Sequence, residues 1–326
     1  MDNKKPIPVI IDCDPGHDDA LALMWALSAP ERLDVRGVTT VAGNQTLEKV
    51  TRNALKMLTV CKRNDIPLAV GAAKSLCRPS RKVGAAIVHG DSGLDGPSLP
   101  EPASEPVKMS AVELLVKLIE QSDEKMTLIV LGAQTNIATL FAARPDLKER
   151  IAHIYLMGGG TMGNWTPAAE FNIWCDPEAA RLVFNSGVPI TMAGLDVTQK
   201  AYVTAEENEA LRAQGGPASL LAAGLIDFFS RYNLDIEGFP GCTLHDPAAV
   251  AAILTPEVFG GEDCNVDVET SGELTSGMTV IDRINYIGKI MGREVVTNAH
   301  VLFTVDREAF VREFFAAIKR LDALIK

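Results

Sequence analysis

The sequence predicts an α/β fold, a mostly parallel central sheet flanked by helices, in a single domain spanning residues 1–326. Three observations carry this. Apolar, β-branched runs alternate with helix-patterned segments as far as residue 196. The runs are apolar on both faces, as strands covered by helices on either side must be. No composition shift, internal repeat or low-complexity stretch marks a linker, and a hydrophobic content of 47% supplies core enough for one large unit.

The first strand reads from Ile7 to Ile11, and Pro15-Gly16 breaks it. Ala20, Leu21, Leu23, Met24, Trp25 and Leu27 then continue as a hydrophobic helix that stops near Pro30. Val35 to Ala42 is a second strand, Leu47 to Arg63 a second helix, and Pro67 to Gly71 a third strand. From Leu76 to Pro106 regularity gives way to Arg78-Pro79-Ser80-Arg81-Lys82 and then a turn-rich run from His89 to Pro97. A loop this long in a compact chain is usually functional or disordered, so His89 fits either a lid over the site or a solvated loop. Alternation resumes with helix Ser110 to Gln121, strand Met126 to Leu131 and a helix that Pro145 ends. Strand Ile151 to Met157, helix Pro177 to Asn185 and strand Pro189 to Leu195 follow, about six parallel strands in all. Ala205 to Phe239 reads as helical. Short strands at Asn265 to Glu269, Gly277 to Ile281 and His300 to Val305 either pack onto the sheet or form an appendage, and an amphipathic helix from Arg307 to Ile325 closes the chain.

The chemistry concentrates where the first strand ends. Asp12, Asp14, Asp18 and Asp19 lie within eight residues, at the carboxyl end of a strand, where ligands of open α/β sheets bind. Only His17 among them is basic, so a cation is the simplest agent to hold the four together. Helix capping accounts for one or two of the aspartates, but Asp12 and Asp14 precede the turn and gain nothing from the helix dipole.

Three further constellations follow. Gly158-Gly159-Gly160-Thr161-Met162-Gly163 matches a dinucleotide fingerprint, but Asn164-Trp165-Thr166-Pro167 follows where a helix must open, and the context rejects that reading. Glu170 and Asn172 are two apart, so in an extended segment they face one side, where they either jointly suit vicinal hydroxyls or belong to a plain loop surface. Asp176-Pro177 has the form of a helix start, Asp at the cap and Pro in the first turn. His245-Asp246-Pro247 also precedes an apolar helix, but here a histidine adjoins the carboxylate. That pair serves either as a cap or as a site, with His245 a general acid or an electrophilic contact to a leaving group. Asn44 ends the second strand as Asp14 ends the first, and alone reads as a turn residue or cap.

Net charge −11 with no Lys/Arg run argues against nucleic-acid or membrane-surface binding, leaving small molecules and cations as partners. Six cysteines lack any Cys-x-x-Cys pair or zinc spacing and fall mostly in apolar contexts, as thiols of a reducing compartment do. With no signal-peptide pattern at the amino terminus and no 18-residue apolar stretch, the expected location is the cytoplasm.

Taken in order, Asp12-Cys13-Asp14-Pro15-Gly16-His17-Asp18-Asp19, Val41-Ala42-Gly43-Asn44-Gln45, Met157 to Gly160, Asn164 to Asn172 and His245-Asp246-Pro247 closely resemble the inosine-uridine nucleoside hydrolases. The resemblance runs from about residue 7 to the carboxyl terminus and is nearest to the bacterial pyrimidine-preferring members. It implies hydrolysis of a ribonucleoside to ribose and free base, with one tightly bound Ca²⁺ per subunit and a homotetramer or dimer. The ligands it implies are Asp14, Asp19, the Leu131 carbonyl and Asp246, an all-oxygen set that suits Ca²⁺ first and Mg²⁺ second. In the same scheme Asp14 deprotonates the attacking water and His245 assists the leaving base. Asp18 and Asn172 bind the 2′- and 3′-hydroxyls, and Asn164 and Glu170 the 5′-hydroxyl. Asn44 holds the ribose side or the aspartates. Base contacts are expected from His89 and from the segment Asp227 to Glu237, including Asn233. Glu237 departs from the aromatic residue that pyrimidine-preferring relatives carry near that position, which leaves purine-accepting or broad specificity as the alternative. Phe228, Phe229 and Tyr232 at helical spacing read as core before they read as a base-stacking platform. More distant alternatives are a Mg²⁺-dependent phosphohydrolase, which also opens on Asp-x-Asp, and a nucleoside-binding protein without turnover.

Overall fold

In this computed structural model the chain starts in the middle of its own sheet. Residues 5–78, 86–292 and 296–326 are described; most of the basic run 78–82 lies outside them. Strands β1 (Ile7–Cys13), β2 (Leu33–Thr40), β3 (Leu68–Val70), β4 (Met126–Val130), β5 (Ile151–Met157) and β6 (Ile190–Ala193) are the six parallel strands the alternation predicts. A two-stranded ribbon, β7 (Tyr202–Val203) with β8 (Cys242–Thr243), stands apart. The late strands β9 (Phe259–Val268), β10 (Thr279–Asp282) and β11 (Ala299–Val305) are no appendage. They extend the same sheet, β11 parallel to β6, β9 antiparallel to β11 and β10 antiparallel to β9, giving the order β10-β9-β11-β6-β5-β4-β1-β2-β3. β9 begins six residues before the sequence suggests, because Gly260-Gly261 reads as a turn. A Cβ at Gly261 would instead lie 2.5 Å from the His300 ring on β11.

The order makes β1 and β4 a switch point: the chain leaves β1 toward β2 and β3, then returns to β4 on the other side. Open α/β sheets bind ligands in that crevice. Side-chain alternation along β1 splits the core in two, with Val9, Ile11 and Cys13 in one layer and Ile10 in the other. Two helices in the first layer, His17–Leu27 and His245–Leu254, are buried along their whole length and pack against each other. Each is apolar all round beyond its first turn, as an interior helix must be. Trp25 closes the first from behind, its ring 5.3 Å from Phe310 and 5.4 Å from Phe314 of the carboxyl-terminal helix Arg307–Leu324.

The segment 205–239 is not one helix. Gly215, at φ +75°, ends Ala205–Arg212, and Pro217 opens Pro217–Tyr232. Asn233–Glu237 then makes a π-turn closed by Gly238 at φ +71°. Within the expected irregular loop, Ala86–His89 forms a single helical turn.

Asp176 does cap the helix Pro177–Phe184, accepting from Ala179 N at 3.2 Å, and its other oxygen accepts from Thr135 Oγ1 and Leu76 N. Asp176→Ala should therefore lower stability by about 2–3 kcal/mol, the cap lost and two donors orphaned. Urea unfolding should show a lower midpoint at unchanged slope; an unmoved midpoint would mean that these contacts contribute nothing net.

Candidate active site

The two buried helices point their amino ends at one place. Gly16 precedes the first, and Asp18 and Asp19 occupy its opening turn; Asp246 occupies the opening turn of the second. Carboxylates there face unpaired helix amides and the positive end of the dipole. Asp18, Asp19 and Asp246 each bring an oxygen within 4.8 Å of the others, all buried. Asp246 is thus no cap; the cap position is Leu244.

Asp14, wholly buried, lies beside the trio at the end of β1. Asn44 N donates to its Oδ2 at 2.7 Å, while its Oδ1 has no hydrogen-bond partner among the described residues. Asp19 is held from three sides, by Asp14 N at 3.0 Å, Gly16 N at 3.0 Å and Asn44 Nδ2 at 3.1 Å. Asn44 therefore ties the aspartates together rather than ending a strand passively. Gly43 and Gly132 are needed for this approach, since a Cβ at either would meet an Asp14 oxygen at 2.0 or 2.4 Å. Leu131, at the end of β4, turns its carbonyl toward Asn172 Nδ2, 2.6 Å away.

Asp12 takes no part. It faces the other side of the sheet, where its Oδ1 accepts from Thr39 Oγ1 and from Asn136 Nδ2 at 2.7 Å and its Oδ2 has no hydrogen-bond partner among the described residues. Burial raises its carboxyl to about 7. Burial, then the charge of Asp19, raises Asp18 to about 8 and Asp14 well above the carboxylate range. Asp246 is pushed up in the same way by burial and by Asp18 and Asp19, and Asp19 itself by burial. Four crowded carboxylates that resist ionising one another are a receptor for a cation. Cys13, between Asp12 and Asp14, supplies no thiolate, because burial and the surrounding aspartates raise its thiol well above normal.

Over this floor lies a pocket lined by Asp18, Asn44, His89, Leu131, Asn164, Glu170, Asn172, Asn233, Glu237, His245 and Asp246. Asp14 and Asp19 lie beneath it. Its apolar wall is Val88, Met157, Trp165, Phe171, Phe229 and Tyr232. Phe229 thus faces the pocket as well as the core, the half-buried Tyr232 faces the pocket, and Trp165, 5.0 Å edge-on to Phe171, is a wall that no spacing rule singled out.

Glu170 and Asn172 do not share an extended segment. Glu170 caps the short helix Phe171–Cys175, accepting from Asn172 N and Ile173 N, and reaches Gly159 N at 2.9 Å. The glycine run, with Gly159 at φ +73°, bends to present that amide. Burial raises Glu170 to about 7. Asn164 Oδ1 accepts from Phe171 N. On the opposite side Asn233 accepts from Thr243 N and donates to Glu237 Oε2 at 2.8 Å, leaving Oε1 of Glu237 outside that pair.

His245 lies between two hydroxyls, Thr243 Oγ1 at 2.9 Å and Thr198 Oγ1 at 2.8 Å. Burial lowers it to about 4, so at neutral pH it is a neutral ring. His89 is not solvated: it is buried, stacks on Phe229 at 5.3 Å and on His17 at 5.4 Å, and burial pushes its pKa down. His17 was hidden in plain view inside the aspartate motif, where a helix-start reading gives it no partner; that partner lies 72 residues away.

Residues 9–312 match the family model described as inosine-uridine preferring nucleoside hydrolase. The chain is 51% identical over 307 residues to the pyrimidine-specific ribonucleoside hydrolase RihA of Escherichia coli O127:H6, covering 94% of this chain and 96% of that one. It shows the same identity and coverage with RihA of Citrobacter koseri. Among solved structures, the purine-preferring ribonucleoside hydrolase from Gardnerella vaginalis superposes with a TM-score of 0.87 at 31% identity, over 98% of this chain and 99% of that one. The floor of aspartates, the pocket above it and these likenesses lead to one conclusion: the chain belongs to the inosine-uridine preferring nucleoside hydrolase family.

Proposed function

We propose that this chain hydrolyses the N-glycosidic bond of pyrimidine ribonucleosides, uridine and cytidine first, releasing ribose and free base. The observation that carries the reading is the buried carboxylate floor beneath a pocket with amide and aromatic walls; the names of the 51% identical relatives support the pyrimidine preference.

The donor set fits a hard divalent cation, Ca²⁺ before Mg²⁺: the oxygens are carboxylate and carbonyl, and Oδ1 of Asp14 is buried without a partner. Asp14, Asp19, Asp246 and the Leu131 carbonyl would hold it, with Asp18 at its edge. When bound, the cation acidifies water and neutralises the cluster. Asp14 Oδ1 accepts the proton of the water that attacks C1′. Asp18 and Asn172 bind the vicinal hydroxyls, while Asn164 and Glu170 bind the 5′ end; Asn44 keeps Asp14 and Asp19 in register. As the C1′–N bond breaks, the carboxylates favour the positive sugar. His245, neutral and held between Thr198 and Thr243, donates a hydrogen bond to the departing base by giving up one of those two hydroxyl partners, rather than releasing a proton as an imidazolium. His89, Asn233 and Glu237 lie on the base side of this scheme.

The reading extends to a homo-oligomer, dimer or tetramer, supported by the exposed side chains of Val280, Ile284, Ile290 and Met291. It also extends to a cytoplasmic location, supported by the buried thiols Cys13, Cys61, Cys242 and Cys264, none of them in a disulfide. No helix among the described residues is long and apolar enough to cross a membrane.

Ribose release from uridine, cytidine, inosine and 2′-deoxyuridine, with Ca²⁺ and after chelation, tests the whole. Uridine and cytidine should react fastest and the deoxy analogue barely; chelation should stop release and lower the melting temperature, and added Ca²⁺ should restore both. Nucleoside binding without release would favour a receptor, and activity untouched by chelation would remove the cation. Asp14→Asn should cut kcat by about a thousandfold with the fold intact; near-native turnover would strip Asp14 of its role. His245→Ala should slow uridine about a hundredfold yet spare a 4-nitrophenyl riboside, whose leaving group needs no hydrogen bond. Equal loss on both substrates would point to general damage.

A further inference from the structure

We infer that Glu237 sets the base preference of this pocket, its carboxylate accepting from the exocyclic amine of cytidine and repelling the carbonyl that uridine carries at the same ring position. This rests on the nucleoside reading above and names the base within it. Among the described residues four carboxylates line the pocket, and three are already committed. Asp18 and Asp246 belong to the floor, and Glu170 gives both oxygens to the amides of Gly159, Asn172 and Ile173. Glu237 is the fourth, and no described lysine or arginine lines the pocket to neutralise it.

A backbone amide fixes how Glu237 is presented. Thr243 N can only donate, so the Asn233 atom 3.2 Å from it is the oxygen Oδ1, and Nδ2 points the other way. Nδ2 donates to Glu237 Oε2 at 2.8 Å, which occupies one carboxylate oxygen and leaves Oε1 outside that bond. The π-turn holds the pair in place. Phe239 N donates to Asn233 O at 2.9 Å, and Gly238, at φ +71°, takes the left-handed conformation that lets the chain double back directly after Glu237.

Thr243 also lies against the leaving-group histidine, its Oγ1 2.9 Å from His245 Nε2. His245, Thr243, Asn233 and Glu237 thus form a row, with His245 next to Asp246 of the floor and Glu237 at the far end. The edge of a pyrimidine runs in the same sense: O2 beside the nitrogen that leaves the sugar, then N3, then the substituent at position 4. With O2 at His245, position 4 meets Glu237. Cytidine presents an N–H donor there and gains a charge-assisted hydrogen bond; uridine presents a second acceptor to an oxygen that has only lone pairs to offer. Burial raises the Glu237 carboxyl and the Asn233 amide works against that rise. A proton held on Oε1 would donate to O4 and reverse the order, which the test below detects.

The test is steady-state ribose release from cytidine and from uridine by the cation-loaded full-length protein at neutral pH, comparing wild type with Glu237→Gln. Dividing the cytidine/uridine ratio of kcat/KM in one protein by that in the other cancels the intrinsic difference between the two glycosidic bonds. In Glu237→Gln the Asn233 amide claims the new side-chain oxygen, so Nε2 takes the place of Oε1 and donates. The cytidine/uridine ratio should therefore fall by about tenfold or more, chiefly through KM. An unchanged ratio overturns the inference, and so does a rise, which would mark Glu237 as a protonated donor to O4. If Glu237→Gln does not fold, the wild type decides. KM should then increase from cytidine to the pyrimidin-2-one riboside, which carries only hydrogen at position 4, and again to uridine; any other order overturns the inference. Ribose release from neither cytidine nor uridine would instead remove the nucleoside reading and this inference with it.

Discussion

Crowding like charges in a dry place is unfavourable, and the architecture around the candidate site is the means of making it tolerable. Asp14, Asp18, Asp19 and Asp246 sit where two wholly buried helices begin, so helix amides and dipoles meet carboxylates that the core would otherwise reject. The helices can be buried only because each is apolar on every face, and they converge only because the chain lays β1 and β4 side by side at the switch of its strand order. Even so, burial leaves these acids reluctant to ionise together. The residual mismatch is the driving force for taking up a positive ion.

Much of this was legible from local pattern. Apolar strand runs and helix periods gave the six parallel strands, and the density of acids around Asp14 marked the site, because the residues concerned are neighbours in sequence. The Asp176 cap was legible for the same reason. What stayed hidden depended on distant pairing. Whether His89 is buried depends on His17, Phe229 and Gly16; whether His245 is a charged acid or a neutral donor depends on its burial, and its orientation on Thr198, 47 residues away. Phe229 serves core and pocket together, a double duty that a helical period cannot separate from plain packing.

The long loop after β3 shows the same division. Its glycines and prolines announced a departure from regular structure, and nothing in its composition said which way it would fold. The Asn53 amide bridges it to the aspartate turn, Gln45 Nε2 holds Gly90 O at 3.0 Å, and His17 and His89 stack. The wall that carries His89 is thus pinned to the turn that carries the acids, and a shift in either reaches the other through a few bonds.

Cys13 gives this arrangement a chemical selectivity. It stands between two aspartates on a strand whose side chains alternate, so it points away from Asp12, and its thiol makes only a long contact to Thr39 O. Kept protonated by its surroundings, it offers neither a soft ligand to thiophilic metals nor a nucleophile to oxidants. A sulfur atom thus stands in the middle of the acidic motif without joining its chemistry, and the donors left facing the pocket floor are oxygens.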